Sequence, residues 1–244
     1  MKKKTAAGLL STVIMISVLI GGCSRATDQP LTLLSSVPWG NTRKAEYEID
    51  NGNQAVGTAE IDIQKLTTSN AYKITKVRRI GDDKKVQSGA TVHADTLMPV
   101  ESFYEQTSHD ETPNQNNFTI DIRTSYAEKW NVRMVTSGKE KDIDVKLPGV
   151  CYDNESLLVI LGALANKEGR AFKLNDAIPL TGKVETMSGK AEGQETIAVP
   201  YGKAECEKIE LGSMRFWYSA DKDRILYQYK DGDTTFKLKN LTRN

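Results

Sequence analysis

The chain has 244 residues, with 33 basic side chains against 32 acidic ones and a formal net charge of +1. That balance leaves no electrostatic footprint for nucleic acid, and the length suits one large domain or two small ones. Two histidines and three cysteines are too few, and too widely spaced, for a metal cluster.

The amino terminus reads as a targeting segment. Lys2, Lys3 and Lys4 precede an apolar run from Leu9 to Ile20, which is short for a bilayer span and suited to the core of a secretory signal. The run ends in Ile20-Gly21-Gly22-Cys23, and small residues before a cysteine at this spacing resemble the bacterial lipoprotein signal. The resemblance implies cleavage before Cys23 and lipid on its sulfur and new amino group. An ordinary signal peptide with a chance cysteine, or a short membrane anchor, are the plainer readings. Lipid at Cys23 would hold the chain outside the cytoplasm on a bacterial membrane, each buried methylene contributing about 0.8 kcal/mol. Without residues 1–22 the count is 30 basic against 32 acidic, so membrane attraction would lie in the lipid and not in a basic patch. Residues 23–42, with Pro30, Pro38 and several Ser and Thr, read as the lipidated cysteine and a flexible tether. Residues 43–244 read as a single β-rich domain.

Short alternating runs then follow one another. Lys44–Asp50 stops at the turn signal Asn51-Gly52-Asn53, and Val56–Leu66 sets Ala59, Ile61 and Ile63 on one face. Tyr72–Ile80 alternates less well, Val86–Ala94 and Val100–Ser108 come next, and the polar stretch from His109 to Asn117 reads as an exposed loop. The clearest alternation is Phe118, Ile120, Ile122, then Trp130, Val132, Met134, then Ile143, Val145, Leu147. Three hairpin-linked strands with one dry face argue for an antiparallel sheet covered on one side.

Cys151–Ala165 reads as the one main helix, over 153–164. Asp153 can cap it, Glu155 suits the first turn, and Leu157, Leu158, Ile160, Leu161 and Leu164 share a face. Placed just after the three clear strands, it is positioned to cover their dry face. Phe172–Leu180 is mixed, Thr181–Val199 looks broken at Ser188-Gly189-Lys190, and clearer strands follow to Leu241. The predicted fold is mainly β: a curved antiparallel sheet or incomplete barrel of about 11 strands, with the helix covering or plugging it. A closed barrel or a flat sandwich stays open.

Tyr152-Asp153-Asn154-Glu155-Ser156-Leu157-Leu158 resembles the helix start of the bacterial domain-of-unknown-function 3108 family. Val199-Pro200-Tyr201-Gly202-Lys203-Ala204, and Trp217 to Arg224 with the hairpin after it, are similar to that family as well, as is Tyr47-x-Ile49 leading to Gly57. The family often places an Arg near the helix end, where this chain has Gly162-Ala163-Leu164. The resemblance implies an envelope protein similar in fold to the lipoprotein-localisation carriers, which are half-open barrels with a helical lid and an apolar cavity, and implies no catalytic activity.

Catalytic chemistry is sparse. His93 and His109 read as solvated side chains, and Ser219-Ala220-Asp221-Lys222 matches an acylating-serine pattern but falls in a turn without its partner motifs. Asp142 with Asp144, and Glu60 with Asp62, read as outward-facing pairs. Outside the cytoplasm Cys151 and Cys206 could pair, stabilising the fold by roughly 4 kcal/mol on the chain-entropy model, or stay as two buried thiols. The expectation is a non-enzymatic envelope lipoprotein without a cofactor. It binds an apolar ligand in a cavity lined by Phe118, Ile120, Ile122, Trp130, Val132, Met134, Ile143, Val145, Leu157, Leu161, Phe216 and Tyr218. Those residues could equally be plain core, and the alternative is an interaction module docking another envelope protein through its sheet surface.

Overall fold

The computed structural model describes residues 31–243 except 53, 109–117, 128, 148 and 166–167. The expected signal segment 1–22, Cys23, the first part of the expected tether and the loop with His109 lie outside the described residues. The strands begin with β1 (Thr42–Asn51), β2 (Gln54–Leu66), β3 (Ala71–Ile80), β4 (Lys84–His93) and β5 (Pro99–Ser108). Next come β6 (Phe118–Tyr126), β7 (Trp130–Thr136), β8 (Lys139–Val145) and the two-residue β9 (Tyr152–Asp153). After helix α1 (Leu157–Ile160) the chain adds β10 (Ala171–Ile178), β11 (Lys183–Val199) and β12 (Gly202–Leu211). It closes with β13 (Met214–Ser219), β14 (Leu226–Asp231) and β15 (Thr234–Arg243).

All fifteen strands belong to one sheet, running from β8 back to β1, then from β15 back to β9. Every neighbouring pair is antiparallel except β9 and β10. The chain's own length forces this sheet to curl. Laid flat, fifteen strands about 4.8 Å apart would separate the β8 and β9 edges by roughly 67 Å. Only residues 146–151 join those edges, and seven Cα steps reach at most about 25 Å. The sheet is therefore a single open, curved surface whose ends approach each other.

The count is fifteen and not about eleven, for identifiable reasons. β3 and β10 alternate poorly yet pair along their whole length. β11 runs unbroken through Ser188-Gly189-Lys190, where Gly189 is not a turn: a Cβ there would meet the Phe172 ring at 2.3 Å. The helix is also much shorter than 153–164. Tyr152 and Asp153 pair with Asp176 and Ala177 of β10, and Leu164 bridges to Leu33, so tertiary pairing takes both ends. What remains is one turn of α-helix and a 3-10 turn over Leu161–Ala163. Asp153 does not cap it, since Ser156 is the N-cap; Asp153 Oδ1 instead accepts the Glu155 N–H at 2.6 Å in the preceding turn.

Packing divides into two clusters. Leu157, Val159, Ile160 and Leu161 pack with inward residues of β1–β4 and β12–β15, so α1 covers that part of the sheet and not the dry face of β6–β8. That dry face (Ile122, Trp130, Val132) is covered by Cys151, Ala177, Leu180 and Val184, from the chain crossing to β9 and from the β10–β11 hairpin. Residues 31–42 are less of a tether than their composition suggests. Leu31 and Trp39 are buried, Leu34 N–H donates to Ala163 O at 2.8 Å, and Ala165 N–H donates to Thr32 O at 2.9 Å. We refer to this docked segment as the strap.

Candidate functional site

The twelve residues expected to line one cavity do not share one space. Ile122, Trp130 and Val132 form the smaller cluster, with Ile120, Met134, Ile143 and Val145 packed against it. Leu157, Leu161, Phe216 and Tyr218 belong to the main cluster, and Phe118 is exposed. Cys151 and Cys206 are both free and buried, one in each cluster, so the two-thiol alternative describes them. Ser219 Oγ donates to Asp221 Oδ1 at 2.8 Å and accepts the Ile225 N–H at 2.8 Å, the bonding of a turn and not of a nucleophile facing Lys222. Glu60 pairs outward with Lys44 at 2.8 Å, and His93 is exposed. Among the described residues no group of His, Cys, Asp and Glu is arranged to hold a metal, and no helix is long and apolar enough to cross a membrane.

One end of the curved sheet is shut. The strap crosses it, Trp39 stacks edge-on against Tyr72, and Arg224 reaches the end of the 3-10 turn, donating to Gly162 O and Leu164 O. The same guanidinium pairs with Glu207 at 2.5 Å. The basic group missing from 162–164 in sequence is thus supplied there from the β13–β14 turn. Beside this end the space between α1 and the sheet shrinks to about 30 Å³.

Towards the opposite end of β1, a cavity of about 120 Å³ opens between Asn154–Leu158 and the sheet. Its floor is aromatic: the Phe216 and Tyr229 rings lie 5.1 Å apart, and Tyr229 meets Phe236 edge-on at 5.4 Å. Its rim carries Lys76 and Arg78. The alternation of β3 turns Tyr72, Ile74, Lys76, Arg78 and Ile80 to one side, and Tyr72 and Ile74 are core residues, so both cations face inward. Lys84, paired in register with Ile80 and sharing a face with buried Val86, joins them. Burial and then the Arg78 charge push the Lys84 ammonium below its ordinary pKa.

Sequence reading missed these cations, and the signal was present: the poor alternation of Tyr72–Ile80 is itself the substitution of Lys and Arg for apolar inward residues.

Lys76 pairs with Glu155 at 2.7 Å, both side chains nearly buried. Burial raises the Glu155 pKa, but Lys76, with smaller help from Ser88 and the Arg78 charge, holds the carboxyl below its usual range. Behind this pair, where β9 meets β5 and β6, lie two more buried acids. Burial, and then the Glu155 charge, raises Asp153 to about 7, against donation from Tyr126 Oη. Burial and then the Asp153 charge raise Asp176 well above its ordinary value, and its Oδ1 has no partner among the described residues.

A second concavity, of about 720 Å³, lies on the face of β3–β8 turned away from the core. Two register rows build it: Lys73–Thr91–Glu101–Ser125–Asn131–Asp144 and Thr75–Gly89–Phe103–Arg123–Arg133–Asp142. Gly89 leaves room for the Phe103 ring, over which the Arg123 guanidinium sits at 5.5 Å while it pairs with Asp121 and Glu105. Asp142 and Asp144, expected as solvated residues on an outer face, are exposed and form one wall.

Comparison with known proteins adds kinship and fold. A crystal structure of a β-barrel-like protein of domain of unknown function DUF1849 from Brucella abortus is 14% identical, with a TM-score of 0.54. The match covers 88% of this chain and 99% of that one, a likeness of fold alone. No curated protein matches the chain. The family model described as protein of unknown function (DUF3108) matches residues 46–239, and the chain belongs to that family.

Proposed function

We propose that the protein is a non-catalytic, lipid-anchored binding protein of the bacterial cell envelope, tethered through Cys23, whose ligand site is the cavity between α1 and the sheet. The observation that carries this reading is an aromatic-floored space opening at one end of an otherwise filled interior. At roughly 30 Å³ per water-sized group, 120 Å³ accepts about four non-hydrogen atoms. The site therefore suits a short apolar group, and a whole acyl chain would require α1 to move off the sheet. Native mass spectrometry of residues 24–244, purified without detergent, should show a small co-purifying ligand. Met214→Trp, which fills the cavity, should abolish it. A chain with no bound species, and no uptake of short alkyl compounds, would refute the reading.

The outer groove of β3–β8 favours a second reading, an interaction module docking another envelope protein through its mixed-charge surface. A photo-cross-linker at Asn131 should then give a stoichiometric adduct that one at exposed Lys230 does not, with the interior site empty.

A further inference from the structure

We infer that the interior site takes an anionic amphiphile, a carboxylate or phosphate ester whose head pairs with Arg78 and Lys84 and whose first carbons lie on the aromatic floor. The inference rests on the binding reading above and names its ligand class. Two inward-facing cations, Lys76 and Arg78, line the mouth, Lys84 stands beside Arg78 at the end of the same hairpin, and Glu155 is already taken by Lys76 at 2.7 Å. Asp153 and Asp176, the next acids inward, lie in the seam where β9 meets the sheet. Among the described residues neither Arg78 nor Lys84 forms a hydrogen bond or a direct ion pair, and the one acid whose charge reaches Arg78 is Glu155, which Lys76 already holds. An inward-facing charge without a hydrogen-bonded partner is costly to keep, and two side by side repel; an anion between them lowers both penalties. The depressed Lys84 ammonium is the same tension seen from the lysine. Immediately below lie Leu157, Phe216, Phe236 and Tyr229, whose apolar bodies bury an alkyl group, the Tyr229 hydroxyl being the one polar group these four side chains carry. Charge above and aromatic surface below define an amphiphile, and 120 Å³ limits the enclosed part to about four carbon-sized groups.

Two sources share this chemistry, a free short-chain acid and the head of an anionic membrane lipid. The test is isothermal titration of residues 24–244, which contain the whole described fold, with hexanoate, 1-hexanol, inorganic phosphate and soluble dihexanoyl phosphatidylglycerol. Hexanoate should bind roughly 10- to 100-fold more tightly than hexanol, the span expected for charged hydrogen bonds. Arg78→Gln should bring hexanoate down to the hexanol level with little change in melting temperature, because Arg78 holds no hydrogen bond or direct ion pair in the fold. Phosphatidylglycerol binding above or below hexanoate identifies the source, and in either order Arg78→Gln must weaken it. Equal binding of hexanol and hexanoate, a preference that survives Arg78→Gln, or phosphate binding as tightly as hexanoate would each overturn the inference. In the first case the apolar site stands without a charged head. If no alkyl compound binds, both readings fall.

Discussion

Asp153→Asn should make the protein markedly more stable at pH 8 and only modestly so at pH 5, where about 1.6 kcal/mol of the carboxyl's contribution is already lost. Asp153 is fully buried at the seam between β9 and strands β5 and β6, with Glu155 and Asp176 as acidic neighbours and Lys76 as the near cation. Its carboxyl holds its proton to about pH 7 in the folded state, against an ordinary value of 3.8. A carboxyl raised on folding stabilises the folded state only while protonated. Its contribution is present in full below 3.8 and is lost as pH climbs through about 7. The loss between those limits is about 4 kcal/mol, at about 1.4 kcal/mol per pH unit. Asparagine carries no charge to bury. Its Oδ1 can keep the Glu155 N–H, and its amide nitrogen can donate to Tyr126 Oη. Urea unfolding at pH 5 and pH 8 reads the difference directly, and the variant's advantage at pH 8 should approach that 4 kcal/mol as an upper bound. A variant equally destabilised at both pH values, or worse at pH 8, would mean that the carboxylate is charged and well paired, and the reasoning would be refuted.

Arg224→Met should cost about 3–5 kcal/mol in chemical denaturation, because it strands Glu207 and leaves the carbonyls of Gly162 and Leu164 without their donor. Adding Glu207→Leu should return part of that loss. Gly89→Ala should destabilise by at least the 1–3 kcal/mol typical of overpacking, since a Cβ there meets Ile74 O at 2.1 Å and the Phe103 ring at 3.0 Å; full stability in a thermal melt would show that the sheet yields at this point. Cys151 and Cys206 should both react with iodoacetamide only after unfolding, with or without reductant, as burial pushes each thiol up to about 12. Protection from alkylation in the unfolded, unreduced chain would reveal a bond between them.

The parts of the fold legible in sequence are those where local pattern and tertiary demand agree. Ile122 and Trp130 read as inward from alternation alone, and both are fully buried. Where the interior itself is polar, the rule fails. Lys76 and Arg78 occupy inward positions of β3, so the strand looked poor for the same reason that it is interesting. The helix was over-read because five leucines and isoleucines spaced for a helix face do satisfy a helix, but Asp153 and Leu164 find strand partners that no local pattern announces. The outer groove could not be read at all. Its rows bring Lys73 beside Thr91 and Glu101 across three strands, and register of that kind exists only once the hairpins are paired.

The two ends of the curved sheet are therefore unlike, and the difference comes from where buried charge is placed. At the strap end, Arg224 is buried with Glu207 and spends its remaining donors on the helix carbonyls, so the charge is consumed by structure. At the other end Lys76 is matched by Glu155, but Arg78 and Lys84 are not matched within the described residues. A fold that needed charge only for architecture would treat both ends alike. The strap also fixes which end is free. If Cys23 carries lipid, the chain docked from Leu31 onward leaves eight Cα steps, at most about 29 Å, between anchor and domain. β1 leads away from the strap, and Arg78 and Ile80 stand level with its Tyr47 and Ile49, five to seven residues or roughly 17–23 Å along it. With such an anchor the strap end would be held close to the bilayer, and the cationic mouth would stand further along β1 from it.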